Sequence, residues 1–269
     1  MFFATAGITV PLWLPPLAGF TLAFFCSMVG ISGAFLLLPF QMSVLGYVSP
    51  SVTATNLVFN LVAIPGGVWR YAREGRMHWS LARIIALGTL PGLLAGWWLR
   101  LHWLAEPKTF KLFVGLVLAW LALRLLRSPS STSHFSAPSD GGVPARGVFL
   151  LALVIGMVGG AYGIGGGSLM APVLVAVFGL SLHAIAGATL FGTFLASLAG
   201  VAAYQFLPAP AGVTAQPDWA LGLLFGIGGL AGMYLGARMQ KHVPQRVLKT
   251  GLALLLAGLA AGYVLQFFR

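Results

Sequence analysis

The sequence predicts an all-α polytopic membrane protein made of two related halves, and composition supports the first part of that prediction. The chain of 269 residues is 59% hydrophobic and only 7% charged, whereas soluble domains are about 25% charged. Its apolar runs are continuous rather than alternating, which indicates helices and not the strands of a barrel. The 36 glycines fit this class, because glycine is common in membrane helices and lets them pack closely.

The positive charge of the chain does not indicate a nucleic-acid-binding protein. The formal net charge is +11, but Lys and Arg stand singly at the ends of apolar runs, where they orient the chain and meet anionic headgroups. We therefore expect the lipid bilayer and a small substrate as partners, and no nucleic acid. A single cysteine, Cys26, excludes a disulfide framework.

Ten apolar segments can be placed on the chain, five on each side of a polar stretch. They cover approximately residues 12–29, 34–47, 53–70, 80–101, 109–127, 147–162, 168–180, 186–206, 219–238 and 247–268. The stretch between the two sets is rich in Ser, Pro and Gly, which is typical of a flexible loop. We expect a first transmembrane repeat at 1–127, a polar linker at 128–146 and a second transmembrane repeat at 147–269.

The two halves contain matching blocks in the same order. GISGAFLLLP at 30–39 corresponds to GIGGGSLMAP at 163–172, which is 133 residues further on. A second block matches TATN at 53–56 with GATL at 187–190. In a third block, glycines recur every four residues and align in pairs: Gly88 with Gly228, Gly92 with Gly232, and Gly96 with Gly236. An internal repeat of this length in a membrane protein is typical of transporters.

The basic residues indicate that the two halves insert in opposite orientations. The loop after the third segment holds four arginines, Arg70, Arg73, Arg76 and Arg83, whereas its counterpart at 205–218 holds none. Under the positive-inside rule the first loop is cytoplasmic and the second external, and both termini are then external. The loop at 100–111 disagrees, because it would be external and contains Arg100, Lys108 and Lys111.

The first two segments of each half are too short for two full crossings. They contain about 18 and 14 residues in the first half and about 16 and 13 in the second, whereas about 20 residues span a hydrocarbon core of ~30 Å. Each pair is therefore predicted to form a glycine-broken re-entrant helical hairpin. Three membrane-spanning helices would follow the hairpin in each of two inverted repeats.

Each glycine-rich break is a candidate anion site. A helix is predicted to start after each break, and a helix N-terminus offers up to four N–H groups and about half a positive charge. The candidate substrate-binding residues at the breaks are Gly30, Ser32, Gly33, Ala34, Tyr162, Gly163, Gly165, Gly166, Gly167 and Ser168. Close helix packing through small residues is the alternative explanation of these glycines.

Polar side chains inside two later segments are candidates for the same site. Asn56 and Asn60 are four residues apart and share a helix face, as do Thr189 and Thr193 in the second half. Their alternative role is to bond a neighbouring backbone or helix.

The acidic residues all fall in loops or at segment ends: Glu74, Glu106, Asp140 and Asp218. No intramembrane carboxylate is therefore available as a proton relay. We expect no catalytic residue, no metal site and no cofactor, and we do not expect an enzyme. The free energy of an anion falls by about 2.3 kcal/mol per charge for each 100 mV when it leaves a negative-inside cell. This favours electrogenic export.

The paired motifs resemble those of the TauE/SafE family of bacterial membrane proteins, over about residues 12–268. The residues that carry the resemblance are Gly30 to Gly33 with Pro39, Gly163 to Gly167 with Pro172, and the pairs Ala54-Thr55 and Ala188-Thr189. The first-half motif departs from the glycine-rich form, because Ser32, Ala34 and Phe35 replace Gly165, Gly167 and Ser168. The two half-sites are thus not expected to contribute equally.

The resemblance implies a secondary transporter in the bacterial inner membrane. Its substrate would be sulfite, sulfoacetate or another organosulfonate, exported from the cytoplasm. An anion channel and an importer of a related small solute on the same fold are the alternatives. The sequence leaves the oligomeric state open, with a homodimer as one option.

Overall fold

The described part of the chain is predominantly helical, which confirms the predicted all-α class. The computed structural model describes residues 1–28, 31–73, 75, 77–127, 144–178, 182–239 and 245–268. Strands β1 (Phe2–Phe3) and β2 (Ile8–Thr9) form a short antiparallel pair. The helices are α1 Leu14–Met28, α2 Ala34–Ser43, α3 Ser51–Ala63, α4 Pro65–Arg73, α5 Trp79–His102, α6 Pro107–Arg127, α7 Ala145–Tyr162, α8 Gly167–Phe178, α9 Leu182–Phe206, α10 Trp219–Met239 and α11 Gln245–Phe268.

Six helical stretches among the described residues are long and apolar enough to cross a membrane. They are Ser51–Arg73, Trp79–His102, Ala145–Tyr162, Ile185–Phe206, Trp219–Gly236 and Thr250–Phe268. Helices α1 and α2 are shorter, with 15 and 10 residues. Helix α7 is longer than expected, since its 18 residues reach the length of a span.

The predicted third segment is divided into α3 and α4 at Ile64. Pro65 explains the division, because proline has no N–H to donate and its ring crowds the carbonyl four residues earlier. Of the predicted linker, residues 128–143 lie outside the described part of the chain, and Ala145 already begins α7.

The outer surface of the helices is apolar, as expected for contact with lipid. Leu87, Ile227 and Leu254 are each at least 60% exposed. Exposed tryptophans also lie at helix ends, for example Trp79 at the start of α5 and Trp103 just after it. Tryptophan is enriched at both membrane–water interfaces, so these positions are consistent with an embedded bundle.

Two long interfaces join helices from opposite parts of the chain. Helix α5 packs against α7, and α1 packs against α10. The matched glycines allow both approaches: a Cβ on Gly88, Gly92 or Gly96 would meet the carbonyls of Phe149, Leu153 and Met157, and one on Gly228, Gly232 or Gly236 would meet those of Pro16, Phe20 and Phe24. Residues 149, 153 and 157 each stand 133 positions after 16, 20 and 24. Glycines aligned in the sequence therefore serve equivalent interfaces.

These contacts also give the relative directions of the helices. Since residue numbers rise together along both interfaces, α5 runs parallel to α7 and α1 runs parallel to α10. Helices α6 and α11 are antiparallel, with Lys111 donating to Gln266 at 3.3 Å and Lys108 lying over the Phe267 ring.

Several segments meet at one end of the molecule, which we call the 205–218 end. The N-terminal hairpin reaches it, because the amide of Ala6 donates to Asp218 Oδ2 at 3.2 Å. The start of α3 reaches it too, since the amide of Ser51 donates to the carbonyl of Thr214 at 3.1 Å. The end of α5 lies beside the start of α3, because Arg100 donates to Thr53.

Candidate functional site

The two helix breaks, between α1 and α2 and between α7 and α8, meet beside α3. Asn56 Nδ2 donates to the carbonyl of Ala34 and to the carbonyl of Gly163, both at 3.0 Å. Tyr162, the last residue of α7, donates its hydroxyl to the carbonyl of Phe35 at 2.9 Å. Asn56 and Tyr162 are fully buried. The structure therefore brings four of the predicted site residues together, and one amide bridges the start of α2 and the turn that follows α7.

Asn60 lies one helical turn further along α3 and has a different environment. Its Oδ1 accepts a hydrogen bond from Ser32 Oγ at 3.0 Å. Its Nδ2 has no hydrogen-bond partner although the residue is fully buried. An unsatisfied buried donor costs about 1–3 kcal/mol, and such a group in a native structure needs an explanation. A ligand oxygen would satisfy it.

The backbone amides at the start of α2 are already engaged. The amide of Ala34 donates to Ser32 Oγ at 3.3 Å, and those of Leu36 and Leu37 donate to the carbonyl of Gly33 at 3.1 and 3.0 Å. At the start of α8, the carbonyl of Gly166 likewise accepts from Leu169 and Met170. The expectation of free amides is therefore wrong at these positions, because local turns and the serine side chain occupy them. Among the described side chains near α2, Asn60 has a buried donor, Nδ2, without a partner.

The second break is held by close backbone packing. Gly163, Gly165 and Gly166 have φ values of +87°, +70° and +76°, a region that favours glycine. A Cβ on Gly165 would lie 2.7 Å from Ser197 Oγ and 2.8 Å from the carbonyl of Thr193. The packing explanation of these glycines therefore applies, whether or not they also contact a substrate.

The next glycine packs equally closely. A Cβ on Gly167 would collide with the carbonyl of Thr189 and the hydroxyl of Thr193. In the first break, Gly33 has a similar role, since its Cβ would lie 2.8 Å from Ala23 Cα in α1. Gly30 and the side chain of Ser168 lie outside the described residues.

The predicted threonines bond within their own helix. Thr193 donates to the carbonyl of Thr189 at 2.8 Å, and Thr189 donates to that of Ala186 at 3.1 Å. Ser197, four residues after Thr193, is fully buried and its Oγ has no partner. The sequence interpretation missed Ser197, although the continued four-residue spacing on one helix face could have indicated it.

Gln41 in α2 is, like Ser197, a buried polar residue that was not predicted. Its Nε2 donates to Asn56 Oδ1 at 3.4 Å, and its Oε1 has no partner. It lies seven residues after Ala34, two turns along α2 on the same face. That spacing inside an apolar helix was an available signal.

Thr55 belongs to a separate polar network at the 205–218 end. Its Oγ1 accepts from the amide of Asp218 at 2.9 Å and lies 3.0 Å from the hydroxyl of Tyr47. Asp218 Oδ1 accepts from the amide of Leu221 at 3.1 Å and so caps the start of α10. Burial raises the pKa of Tyr47, so its hydroxyl stays protonated at neutral pH and can donate.

The placement of Arg100 in an external loop is wrong. Helix α5 continues to His102, and Arg100 is fully buried near its end. Its Nε donates to Thr53 Oγ1 at 3.1 Å and its Nη1 to the carbonyl of Leu104. Lys108 lies in the first turn of α6 and is exposed. One of the three basic residues that opposed the inverted arrangement is thus not a surface charge.

The described part of the site is built from neutral polar groups. Among the residues that the structure describes, no three His, Cys, Asp or Glu side chains lie close enough to hold a metal ion. The described polar groups at the breaks are amide and hydroxyl side chains and backbone carbonyls, and the residues Ser32, Asn56, Asn60 and Tyr162 are buried. Such groups can bind a small polar solute and release it.

Membrane-crossing helices, a lipid-facing apolar surface and a buried polar centre together define a polytopic membrane transport protein. The chain belongs to the family described as sulfite exporter TauE/SafE, whose model matches residues 16–263. The resemblance drawn from the paired motifs is thereby confirmed, and this is a family of transporters and not of enzymes.

Curated relatives extend over nearly the whole chain. A probable membrane transporter protein of Xylella fastidiosa is 26% identical over 86% of this chain and 87% of its own length. One from Haemophilus influenzae is 26% identical over 93% of this chain and 97% of its own. The probable membrane transporter protein YunE of Bacillus subtilis is 23% identical over 82% and 86%. No solved structure matches the chain significantly.

Proposed function

We propose that this transporter exports a small sulfur-containing anion, such as sulfite, sulfoacetate or another organosulfonate, from the bacterial cytoplasm through the inner membrane. The observation that carries the proposal is Asn60, whose buried Nδ2 lacks a partner beside Ser32. An oxyanion oxygen accepts from such a donor, and the Ser32 hydroxyl can turn from Asn60 Oδ1 toward the same ligand. The name of the family supports the sulfur chemistry.

The proposed architecture is a pair of inverted repeats, residues 1–127 and 147–269, joined by the linker 128–146. The equivalent glycine interfaces support it, because α1 pairs with α10 in the way that α7 pairs with α5. Helix directions support it as well. Gly222 and Gly226 of α10 lie against Val58 and Val62, so α3 runs parallel to α10 of the other repeat. In the same way, Gly192 and Gly200 place α9, the counterpart of α3, parallel to α5, the counterpart of α10.

Re-entrant hairpins remain part of the proposed architecture. Helix α2 has 10 residues, and at 1.5 Å per residue it covers about 15 Å, half of a hydrocarbon core of ~30 Å. It follows a break that meets the second break at Asn56. A helix of this length that starts at the centre of the protein need reach only one surface.

The buried position of the site bears on the transport cycle. Ser32, Asn56 and Asn60 are at most 2% exposed, so the described conformation is closed to water on both sides. Release of a substrate requires movement of α3 relative to the neighbours that cover it, α9 and α10. Alternating movement of two repeats around a central site is the usual mechanism of transporters with this kind of symmetry.

The driving force is proposed to be the membrane potential, and flux in proteoliposomes tests it. A potential of 100 mV, worth about 2.3 kcal/mol per charge, holds a monoanion at about a 50-fold concentration ratio at equilibrium. Vesicles loaded with labelled sulfite or sulfoacetate, made inside-negative with potassium and valinomycin, should export rapidly. Export should slow when the potential is clamped to zero, and unchanged flux in clamped vesicles would contradict the proposal.

Further measurements separate the exporter from its two alternatives. A carrier shows saturable flux and counterflow, in which unlabelled substrate on one side drives labelled substrate from the other. An anion channel instead shows single-channel conductance in a planar bilayer. An importer with the same fold is recognised in intact cells. It would catalyse uptake and raise, rather than lower, the cytoplasmic concentration of the anion.

A further inference from the structure

Arg100 is a buried cation that the central site does not use. It lies two residues before the end of α5, at the 205–218 end, and is fully buried. Among the described residues no carboxylate forms an ion pair with it. Removing an arginine from water without a counter-charge is unfavourable by several kcal/mol. A buried ionisable residue in a membrane protein is therefore a candidate functional residue.

The guanidinium is oriented by neutral groups, which leave part of it free. Nε donates to Thr53 Oγ1 at 3.1 Å, and Nη1 donates to the carbonyl of Leu104. The ring of Phe110 lies below, with its centroid 3.6 Å from Cζ. Nη2 is buried and has no hydrogen-bond partner. The structure thus holds the guanidinium in one plane with its outer N–H groups unsatisfied.

The position of Arg100 connects it to the second helix break, between α7 and α8. Thr53, which accepts its Nε, donates in turn to the carbonyl of Ala161 at 3.3 Å. A Cβ on Gly163 would lie 2.6 Å from the carbonyl of the same threonine. Arg100 is therefore one side chain away from the turn that Asn56 ties to α2.

We propose that Arg100 is a second anion-binding residue of the transport route, lying between the central Asn60 and the 205–218 end. The inference rests on the proposed function, because it assigns the substrate anion as the missing counter-charge. The free Nη2 donates to an oxygen of the sulfite or sulfonate group, and the positive charge, with which no described carboxylate forms an ion pair, attracts the anion. Asn60 supplies a neutral donor and Arg100 supplies the charge.

The test compares purified variants in proteoliposomes, with labelled sulfite and sulfoacetate as substrates. Arg100→Gln removes the charge and keeps an amide donor, and it should raise the half-saturation concentration at least tenfold. Arg100→Lys keeps the charge but lacks the planar fork, and it should raise that concentration about threefold. Arg124→Gln is the matched control. It removes a half-buried arginine that also lies over an aromatic ring, Trp120, and it should leave the half-saturation concentration unchanged.

Gel filtration and thermal unfolding show which variants are folded before flux is measured. If Arg100→Gln does not fold, Arg100→Lys decides the question alone. A folded variant of either kind with the half-saturation concentration of the unmodified protein overturns the role of Arg100 and leaves the proposed function standing. If the unmodified protein itself shows no saturable flux of either anion, the proposed function and this inference both fail.

Discussion

The breaks before α2 and before α8 occupy matching places in the sequence but are built from different chemistry. In the first, the Ser32 hydroxyl satisfies the amide of Ala34 and donates to Asn60. In the second, glycines at positive φ lie directly against the backbone of neighbouring helices. One break therefore presents a side chain to the proposed site, whereas the other is a tightly packed turn.

A similar contrast separates the two asparagines of α3. Asn56 uses its Nδ2 to join the two breaks through their carbonyls. Asn60, on the same face, keeps its Nδ2 unpaired. One residue is thus a structural bridge and the other is available to a ligand, although the sequence presents them as a pair.

The largest effect is expected from a methyl group added to the second break. Gly165→Ala forces a left-handed alanine, which costs about 1–2 kcal/mol, and overpacks Ser197 and Thr193, which costs about 1–3 kcal/mol more. Thermal unfolding in detergent should show a large decrease in the unfolding midpoint. Gly212→Ala is the matched control, since Gly212 has φ +79° but nothing within 4 Å of an added Cβ.

The control should lose only the conformational part of the free energy of unfolding. Equal midpoints for Gly165→Ala and Gly212→Ala would mean that the packing around Gly165 does not matter. The second break could then no longer be described as a tightly packed turn, and the contrast with the first break would disappear.

Intermediate effects are expected from replacing Asn56 or Asn60 by leucine. Asn56→Leu should have the larger effect on the free energy of unfolding, and Asn60→Leu the larger effect on transport. Asn56→Leu leaves the buried carbonyl of Gly163 and the side-chain amide of Gln41 without their partner, which should lower the free energy of unfolding by about 2–4 kcal/mol. Asn60→Leu removes one bond and an unsatisfied donor, so its stability should change by about 1 kcal/mol or less. Flux should show the reverse order, with the half-saturation concentration raised tenfold or more in folded Asn60→Leu.

Either variant can refute its assignment independently. An Asn60→Leu protein as unstable as Asn56→Leu would make Asn60 a second bridge. Normal half-saturation in a folded Asn60→Leu protein would remove it from the site and, with it, the observation that carries the proposed function.

Much of the fold could be predicted from the sequence because it depends on short-range patterns. The rows of glycine at four-residue spacing lie on one helix face, and their alignment in the sequence indicated two related halves. The structure adds that these glycines form the interfaces that join α1 to α10 and α5 to α7. Pro65 divides the third segment by local chemistry and was visible in the sequence, yet the segment was predicted as one helix.

The site was less predictable because it depends on which groups meet in space. The sequence brings Asn56 and Asn60 to one face, but only the packed structure shows that the carbonyls of Ala34 and Gly163 occupy the first and leave the second free. Arg100 was missed for the same reason. Its burial depends on Phe110, which returns over it after the turn between α5 and α6.

The smallest effect is expected from Thr193→Val, and it examines the second break from the opposite helix. The hydroxyl of Thr193 donates to the carbonyl of Thr189 within α9. That carbonyl also accepts a backbone hydrogen bond of the helix, so it keeps a partner when the hydroxyl is removed. Valine keeps the branched shape against Gly167, so stability should change by less than about 1 kcal/mol. Flux should stay within twofold of the unmodified protein in the proteoliposome assay. A half-saturation concentration raised as far as in Asn60→Leu would show that the second break also presents a side chain to the anion, and the two breaks would then be equal partners in binding.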